Sequence, residues 1–314
     1  MNTPEHPEAA ATPLVETPLS MPATEPHPAP PPESAAALAP ATEALAEPAA
    51  PDGAEPGGTT GVAEPAAAAP LPQARTKTRG VADLVFVVDV SGSMATCIDA
   101  LRGNIEAFID TLSRGDANNA APVKDWRARV VGYRDIDSAE AEHLPWIVDN
   151  AFVREAGALK AQLAALQANG GGDEPESLLD ALYKVASMEA VPKGSQTEDA
   201  NKWRYRSDAA RVVIVFTDAS FKETMNIAEA KGGSLQDVAN VSMANRVILS
   251  LFAPNFEGYD RLSQIDKSEW EVVEFEGLTP QQALQKFTSD PVNFRTTLKQ
   301  LAASVSRSAE TVAL

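Results

Sequence analysis

Residues 81–94 read VADLVFVVDVSGSM, and this segment carries the strongest indication of the fold. Its first eight residues form an almost unbroken apolar run, which is typical of a strand buried on both faces of a parallel sheet. A second such run, RVVIVFT at residues 211–217, also leads into polar residues, Asp218-Ala-Ser220. Two doubly buried strands, each followed by a polar loop, predict an α/β protein with its chemistry at the strand ends.

Further strands and helices alternate outward from these two runs. Strands are predicted at residues 81–88, 127–133, 146–153, 211–217, 247–252 and 270–275. Helices are predicted at about residues 98–112, at 155–166, 176–188, 235–245 and 259–265, after a capping signature at 279–282, and at 292–308. This alternation predicts a doubly wound, mostly parallel central sheet of about six strands with helices on both faces.

The chain divides into two parts of different composition. Residues 1–79 hold 17 of the 24 prolines, no aromatic residue and a net charge of -7, whereas residues 80–314 carry a net charge of -11. The first part has too little apolar surface to offset the entropy of ordering, which predicts a disordered, acidic, Pro/Ala-rich tail. Its PAPPP run at 28–32 could dock in a partner's groove, although a spacer is the favoured interpretation. The second part is long enough for one domain, with a polar surface insertion predicted at about 189–210.

Composition excludes several classes of protein. A single cysteine, Cys97, rules out an internal disulfide, and three histidines cannot build a histidine-rich zinc site. The net charge of -18 argues against nucleic-acid binding, because phosphate backbones repel an acidic surface. No apolar run reaches the roughly 18 residues that span a bilayer, and the N-terminal stretch lacks the basic start and apolar core of a signal peptide. We therefore expect a cytoplasmic protein that has no transmembrane segment and does not bind nucleic acid.

Oxygen-bearing side chains follow both buried strands. Asp89, Ser91 and Ser93 alternate along an extended loop, so their oxygens can converge on one point. Asp218 would join them if the two strands are neighbours, because ligands bind beyond the carboxyl ends of parallel strands. Carboxylates and hydroxyls without a thiol or an imidazole suit a hard cation such as Mg²⁺. The sequence therefore predicts a cation site at this edge of the sheet.

The segments VFVVDVSGSM at 85–94 and VVIVFTDAS at 212–220 resemble the two signatures of the von Willebrand factor type A (VWA) domain. The first signature is the metal-ion-dependent adhesion site (MIDAS) motif of that family, and the resemblance covers about residues 82–305. It implies a Rossmann-like VWA fold with a short antiparallel edge strand and one Mg²⁺ or Mn²⁺ at the top of the sheet. It also implies that Ser91 and Ser93 bind the metal directly, and that Asp89 and Asp218 act partly through water.

The third loop of the site, GGGDEPE at residues 170–176, resembles a GGGDTPE form found in hemicentin-like and bacterial VWA proteins. Glu174 stands where that form has threonine. Glu174 could therefore bind the metal directly or occupy it as an internal ligand, and Asp173 is the alternative ligand. The same residues make a helix-capping signature, D-x-x-E with Pro175 in the first turn, so capping is an equal alternative for Asp173.

The second strand ends in Gly132-Tyr-Arg-Asp135, which resembles a YRD segment of the same VWA subset. Arg134 and Asp135 are therefore predicted on the upper rim of the sheet, as a partner-binding rim beside the metal ligands. A simple ion pair between the two side chains is the favoured alternative.

The VWA resemblance implies a metal-dependent protein-interaction module rather than an enzyme. An Asp or Glu carboxylate of a protein partner would complete the metal shell, and bacterial VWA proteins of this type often work inside cells with AAA+ ATPases, kinases or phosphatases. A Mg²⁺-dependent phosphoesterase is one alternative, although Ser91 stands where a second aspartate would be needed and neither a P-loop nor a G-x-S-x-G elbow occurs. The other alternative is a degenerate VWA domain that binds partners without metal, which Glu174 leaves open.

Overall fold

Six strands form one sheet in the computed structural model, which describes residues 80–115, 122–170 and 174–310. They are β1 (Val81–Asp89), β2 (Asp125–Tyr133), β3 (Ile147–Asp149), β4 (Ala210–Phe216), β5 (Val247–Ala253) and β6 (Glu269–Val272). Their order across the sheet is β3-β2-β1-β4-β5-β6. All neighbouring strands run parallel except β2 and β3, which are antiparallel. The predicted doubly wound, mostly parallel sheet is confirmed.

Eight α-helices of the described residues cover the two faces of the sheet. They are α1 (Ala95–Arg114), α2 (Ile136–Ala141), α3 (Ala156–Ala165), α4 (Leu178–Ala186), α5 (Leu235–Asn245), α6 (Tyr259–Ser263), α7 (Pro280–Ser289) and α8 (Pro291–Glu310). One core cluster unites the sheet with α1, α3, α7 and α8, and the other unites it with α4, α5 and α6. None of these helices has the length and apolar character needed to cross a bilayer.

Strand β1 lies at the centre of the sheet and contributes side chains to both core clusters. Leu84, Phe86 and Val88 contribute to one core cluster, whereas Val85 and Val87 contribute to the other, as the two-residue period of a strand requires. This explains the unbroken apolar run, because neither face of β1 meets water. Strands β1 and β4 are neighbours, so their carboxyl ends lie side by side.

The predicted strand at 146–153 is shorter than expected. Only Ile147–Asp149 pairs continuously with β2, followed by an isolated bridge between Ala128 and Val153. Between these points side chains enter the ladder: the Val130 carbonyl accepts both from the Asn150 backbone N–H at 3.3 Å and from the Asn150 side-chain amide at 2.8 Å. The Val130 N–H donates in turn to the side chain of Gln162 at 2.9 Å. Helix α2 was not predicted, because six residues are too few to show a helical period.

Residues 187–209, which connect α4 to β4, are irregular but not confined to the surface. Trp203 is completely buried, its indole N–H donates to the Val185 carbonyl at 3.0 Å, and its ring packs on Phe152 with 5.3 Å between centroids. The Arg211 guanidinium lies 5.7 Å from the centre of the same ring. The predicted surface insertion therefore supplies part of the core. The tail predicted at 1–79 lies outside the described residues.

A buried ion-pair network lies near the amino ends of the central strands. Arg127 donates to both carboxylate oxygens of Asp83 at 2.8 Å, and the Arg204 N–H donates to Asp83 as well, also at 2.8 Å. All three residues are buried, so the pairing offsets the cost of removing these charges from water.

Candidate metal centre

Four predicted side chains meet at the carboxyl ends of β1 and β4. Asp89 is the last residue of β1, and the loop that follows it carries Ser91 and Ser93 into α1. Strand β4 ends at Phe216 and leads through Thr217 to Asp218. The Oγ atoms of Ser91 and Ser93 are 3.1 Å apart, and the Ser93 hydroxyl partly offsets the rise that burial causes in the pKa of Asp218. The parallel pairing of the two strands is what brings these four residues together.

Asp89 is completely buried, and both of its carboxylate oxygens are held. The Ser91 N–H donates to Oδ1 at 2.8 Å, and the Thr217 hydroxyl donates to Oδ2 at 2.9 Å. Burial raises the pKa of Asp89 to about 6 against the opposing Ser91 hydrogen bond, and the charge of Asp218 adds to the rise. Burial also raises the pKa of Asp218. Burial and mutual repulsion disfavour the charged forms of these two carboxyl groups, and a bound cation would stabilise those charged forms.

The donor chemistry and spacing fit a six-coordinate hard cation. Ligands at neighbouring positions of an octahedral ion with bonds of about 2.1 Å lie about 3.0 Å apart. The Oγ atoms of Ser91 and Ser93 match this spacing at 3.1 Å. Within the described ranges, no three His, Cys, Asp or Glu side chains are grouped so that they could hold a metal ion. The described part of the site thus offers two hydroxyls and two carboxylates, and water would fill the remaining positions.

Glu174 lies at the same edge but is engaged with the loop after β4. It is exposed, and its Oε2 accepts hydrogen bonds from the Ser220 hydroxyl at 3.1 Å and from the Ser220 N–H at 3.4 Å. Its negative charge contributes to the raised pKa of Asp218. Metal binding by Glu174 stays a prediction, and the predictions for Asp173 lie outside the described residues.

Glu176 is a residue of the site that the sequence analysis treated only as part of a capping signature. Helix α4 begins at Leu178, two residues later than predicted, because Glu176 forms a bridge with Phe221 instead of joining the helix. Burial raises the pKa of Glu176 to about 8, and the charge of Asp89 is the next cause. The sequence does not distinguish a buried glutamate of this kind from one that caps a helix. The burial of Glu176 depends on the pairing of its loop with the loop of Phe221, which is distant in the sequence.

Arg134 and Asp135 lie at the end of β2, at 3% and 4% exposure. Arg134 donates to the backbone and side-chain oxygens of Asn169, both at 2.8 Å, and thereby fastens the segment that precedes Gly170. That segment in turn meets the loop of Asp89, since the Gly92 N–H donates to the Gly170 carbonyl at 3.1 Å. Because Arg134 is so little exposed, it offers little surface to a partner. Its hydrogen bonds instead connect the end of β2 to the segment around Asn169.

Asp135 pairs with Lys222 at 2.5 Å and not with Arg134, so the favoured Arg134–Asp135 ion pair is corrected. Its Oδ1 accepts from the Ser177 hydroxyl, and its Oδ2 caps α2 by accepting from the Ser138 N–H, both at 3.0 Å. Burial opposes ionisation, but the Lys222 hydrogen bond and these two donors outweigh it and lower the pKa of Asp135.

The fold and this edge together define a class of protein. It is a doubly wound α/β domain that gathers hard oxygen donors where the strand order reverses, between β1 and β4. No protein-family model and no curated protein matches the chain.

Among solved structures, the chain is similar to the SpRpn10 VWA domain, with 9% identity and a TM-score of 0.41 over 65% of this chain and 94% of that one. It is also similar to proximal thread matrix protein 1 from the mussel byssus, with 16% identity and a TM-score of 0.40 over 69% of this chain. A second structure of the mussel protein, with a zinc-occupied MIDAS motif, gives the same identity, TM-score and share of this chain. The matched region spans 47% and 46% of the mussel chains.

Proposed function

We propose that this chain is a metal-ion-dependent protein-interaction module of the VWA type, with a MIDAS-type site for Mg²⁺ or Mn²⁺. The observation that carries the proposal is the convergence of Asp89, Ser91, Ser93 and Asp218 at the ends of two neighbouring strands. Ser91 and Ser93 would hold the ion directly, and Asp89 and Asp218 would act partly through water. A bound ion would offer one coordination position to a carboxylate from outside the chain.

The partner would be a protein that presents an Asp or Glu side chain. The net charge of -18 makes this chain repel other acidic surfaces, so the cation would have to mediate the contact. The resemblance of residues 170–176 to the GGGDxPE subset favours an intracellular bacterial complex with an AAA+ ATPase, a kinase or a phosphatase.

The contacts of Asp89 favour binding over catalysis. Asp89 is completely buried, and both of its carboxylate oxygens accept hydrogen bonds, from Ser91 and Thr217, so neither oxygen is exposed to attack an incoming phosphoester. Ser91 also occupies the position at which a D-x-D phosphoesterase would need its second carboxylate. Hydrolysis of a generic phosphoester with Mn²⁺ that Asp89→Ala abolishes would contradict the interaction-module proposal.

Isothermal titration of Mg²⁺ and Mn²⁺ into the full chain tests the metal site. We expect one saturable site in the wild type, its loss in Asp89→Ala and in the more conservative Asp89→Asn, and weaker binding in Ser91→Ala. Asp99→Asn is the matched control, because Asp99 is 65% exposed on α1 and pairs only with Arg102 at the helix surface. Titrations in which Asp89→Asn and Ser91→Ala bind like the wild type would favour the degenerate VWA domain.

A further inference from the structure

One buried carboxylate oxygen beside the candidate metal centre has no hydrogen-bond partner. Glu176 is 2% exposed, and its Oε2 is buried without a partner. Burying an unpaired carboxylate oxygen is costly, and such an atom needs an explanation in the chemistry around it.

The backbone holds Glu176 between the loops that build the site. Its N–H donates to the Ser220 carbonyl at 3.0 Å, and its own carbonyl accepts from the Lys222 N–H at 2.9 Å. Glu176 is therefore tied to the segment that directly follows Asp218. These backbone bonds place Glu176 beside the loop that carries Asp218, and the charges of Asp89 and Asp218 both contribute to the raised pKa of its carboxyl group.

Direct ligation by Glu176 does not fit the arrangement. Within the described residues, no group of three carboxylates, imidazoles or thiols could hold an ion together, so Glu176 does not join Asp89 and Asp218 as a third direct ligand. Mg²⁺ retains several waters in protein sites, and these waters are hydrogen-bond donors. A fixed, buried acceptor close to the ion but beyond direct contact suits such a water.

We propose that Glu176 binds a water of the hydrated cation through Oε2 and so acts as a positioning residue of the metal centre. This inference rests on the proposed metal site and adds a residue to it. It also assigns different tasks to the two glutamates of one loop. Glu176 is buried with a free oxygen, whereas Glu174 is exposed and already bonded to Ser220.

The two glutamates provide a matched pair of variants, Glu176→Gln and Glu174→Gln. Titration of Mn²⁺ into the full chain should show a 10- to 100-fold weaker affinity for Glu176→Gln, a loss of about the size caused by removing outer hydrogen-bond partners of metal sites. Glu174→Gln should bind close to the wild type. Water-proton relaxation by the bound Mn²⁺ should give the same number of bound waters in the wild type and in Glu176→Gln.

Three results would overturn the inference. An unchanged Mn²⁺ affinity in Glu176→Gln would show that its free oxygen holds nothing, and one additional bound water in that variant would show direct ligation instead. Absence of binding by the wild type would overturn the proposed metal site and this inference together. Circular dichroism in EDTA checks the folding of each variant. If Glu176→Gln fails to fold, Glu176→Asp, which keeps the charge but withdraws the oxygen, should show the same loss of affinity.

Discussion

Thr217 joins the two loops of the candidate metal centre through one hydroxyl group. The hydroxyl donates to Oδ2 of Asp89 at 2.9 Å and accepts from the Ala219 N–H at 3.1 Å. Thr217 is completely buried, so water cannot replace either bond. Together with the Ser91 N–H on the other oxygen, the Thr217 hydroxyl therefore orients the Asp89 carboxylate, and it also ties that carboxylate to the loop that carries Asp218.

Thr217→Val keeps the shape of the side chain and removes both hydrogen bonds. We expect a loss of about 1–3 kcal/mol in the free energy of unfolding, because a buried acceptor and a buried donor lose their partner. Urea denaturation in EDTA measures this loss, and titration of Mg²⁺ should show weaker binding. Thr217→Ser retains the hydroxyl and serves as the control. A Thr217→Val protein as stable as the wild type would contradict the role of this hydroxyl.

Two buried carboxyl groups give the metal-free protein a defined pH dependence. Burial raises the pKa of Glu176 from 4.5 to about 8 and that of Asp89 from 3.8 to about 6. Because the folded state holds these protons more tightly than the unfolded state, their stabilising effect is present at low pH and is lost as the pH rises through the folded pKa.

The contribution of these two groups to the free energy of unfolding in EDTA should therefore fall between about pH 4 and about pH 8. Glu176→Gln cannot ionise, so its stability should fall less over the upper part of this range. Urea titrations of both proteins at intervals across the range measure the difference. Identical pH profiles for the two proteins would show that Glu176 does not change its proton affinity on folding.

At the scale of the elements, the sequence predicts best where burial alone decides the structure. The apolar runs of β1 and β4 identify both strands, because each strand faces a core on both sides. The third predicted strand ends after Asp149, where the Val130 N–H donates to the Gln162 side chain and the Asn150 side-chain amide shares the Val130 carbonyl with the Asn150 backbone N–H. Such local competition between side chains and the ladder has no periodic signature.

Helix α7 begins with the predicted capping box. The Thr279 hydroxyl accepts from the Gln282 N–H at 3.3 Å, the Gln282 side chain accepts from the Thr279 N–H at 3.1 Å, and Pro280 fills the first turn. Thr279→Ala should lower the free energy of unfolding by about 1 kcal/mol, because the first turn loses its cap. Urea denaturation measures the change, with Thr279→Ser as the control. Equal losses in both variants would indicate that the hydroxyl does not act as the cap.

At the scale of the whole molecule, the two ends of the central strands have separate tasks. Asp83 lies near the amino end of β1 in the buried network with Arg127 and Arg204, and Asp89 lies at the carboxyl end in the candidate metal centre. The two aspartates are six positions apart along the strand, which corresponds to about 20 Å. The amino ends of the strands hold the ion-pair network that stabilises the fold, and the carboxyl ends hold the candidate metal centre.

Asp83→Ala should destabilise the protein by about 3–5 kcal/mol, because it leaves the buried Arg127 guanidinium without its carboxylate. Asp110→Ala removes the exposed pair with Arg114 and should cost less than about 1 kcal/mol. Urea denaturation compares the two variants, and calorimetry at low temperature should show wild-type Mg²⁺ affinity for the folded Asp83→Ala protein. A loss of metal binding in that folded variant would contradict the separation of the two ends.

The candidate site was predictable only in part. Asp89, Ser91, Ser93 and Asp218 follow the two strongest strand signals, so a parallel sheet with those strands as neighbours suffices to bring them together. Thr217 and Glu176 were missed as site residues, because their roles depend on contacts between loops far apart in the sequence. The contact of Arg134 with Asn169 was not predicted for the same reason, because the two residues lie 35 positions apart in the sequence.

Anomalous diffraction from crystals of the full chain grown with Mn²⁺ would locate the bound ion. We expect one strong anomalous peak within coordination distance of the Ser91 and Ser93 hydroxyl oxygens, close to Asp89 and Asp218. Crystals of Asp89→Asn grown in the same way should lack that peak. A wild-type peak at another position, or no peak at a Mn²⁺ concentration that saturates the protein in solution, would contradict the proposed metal centre.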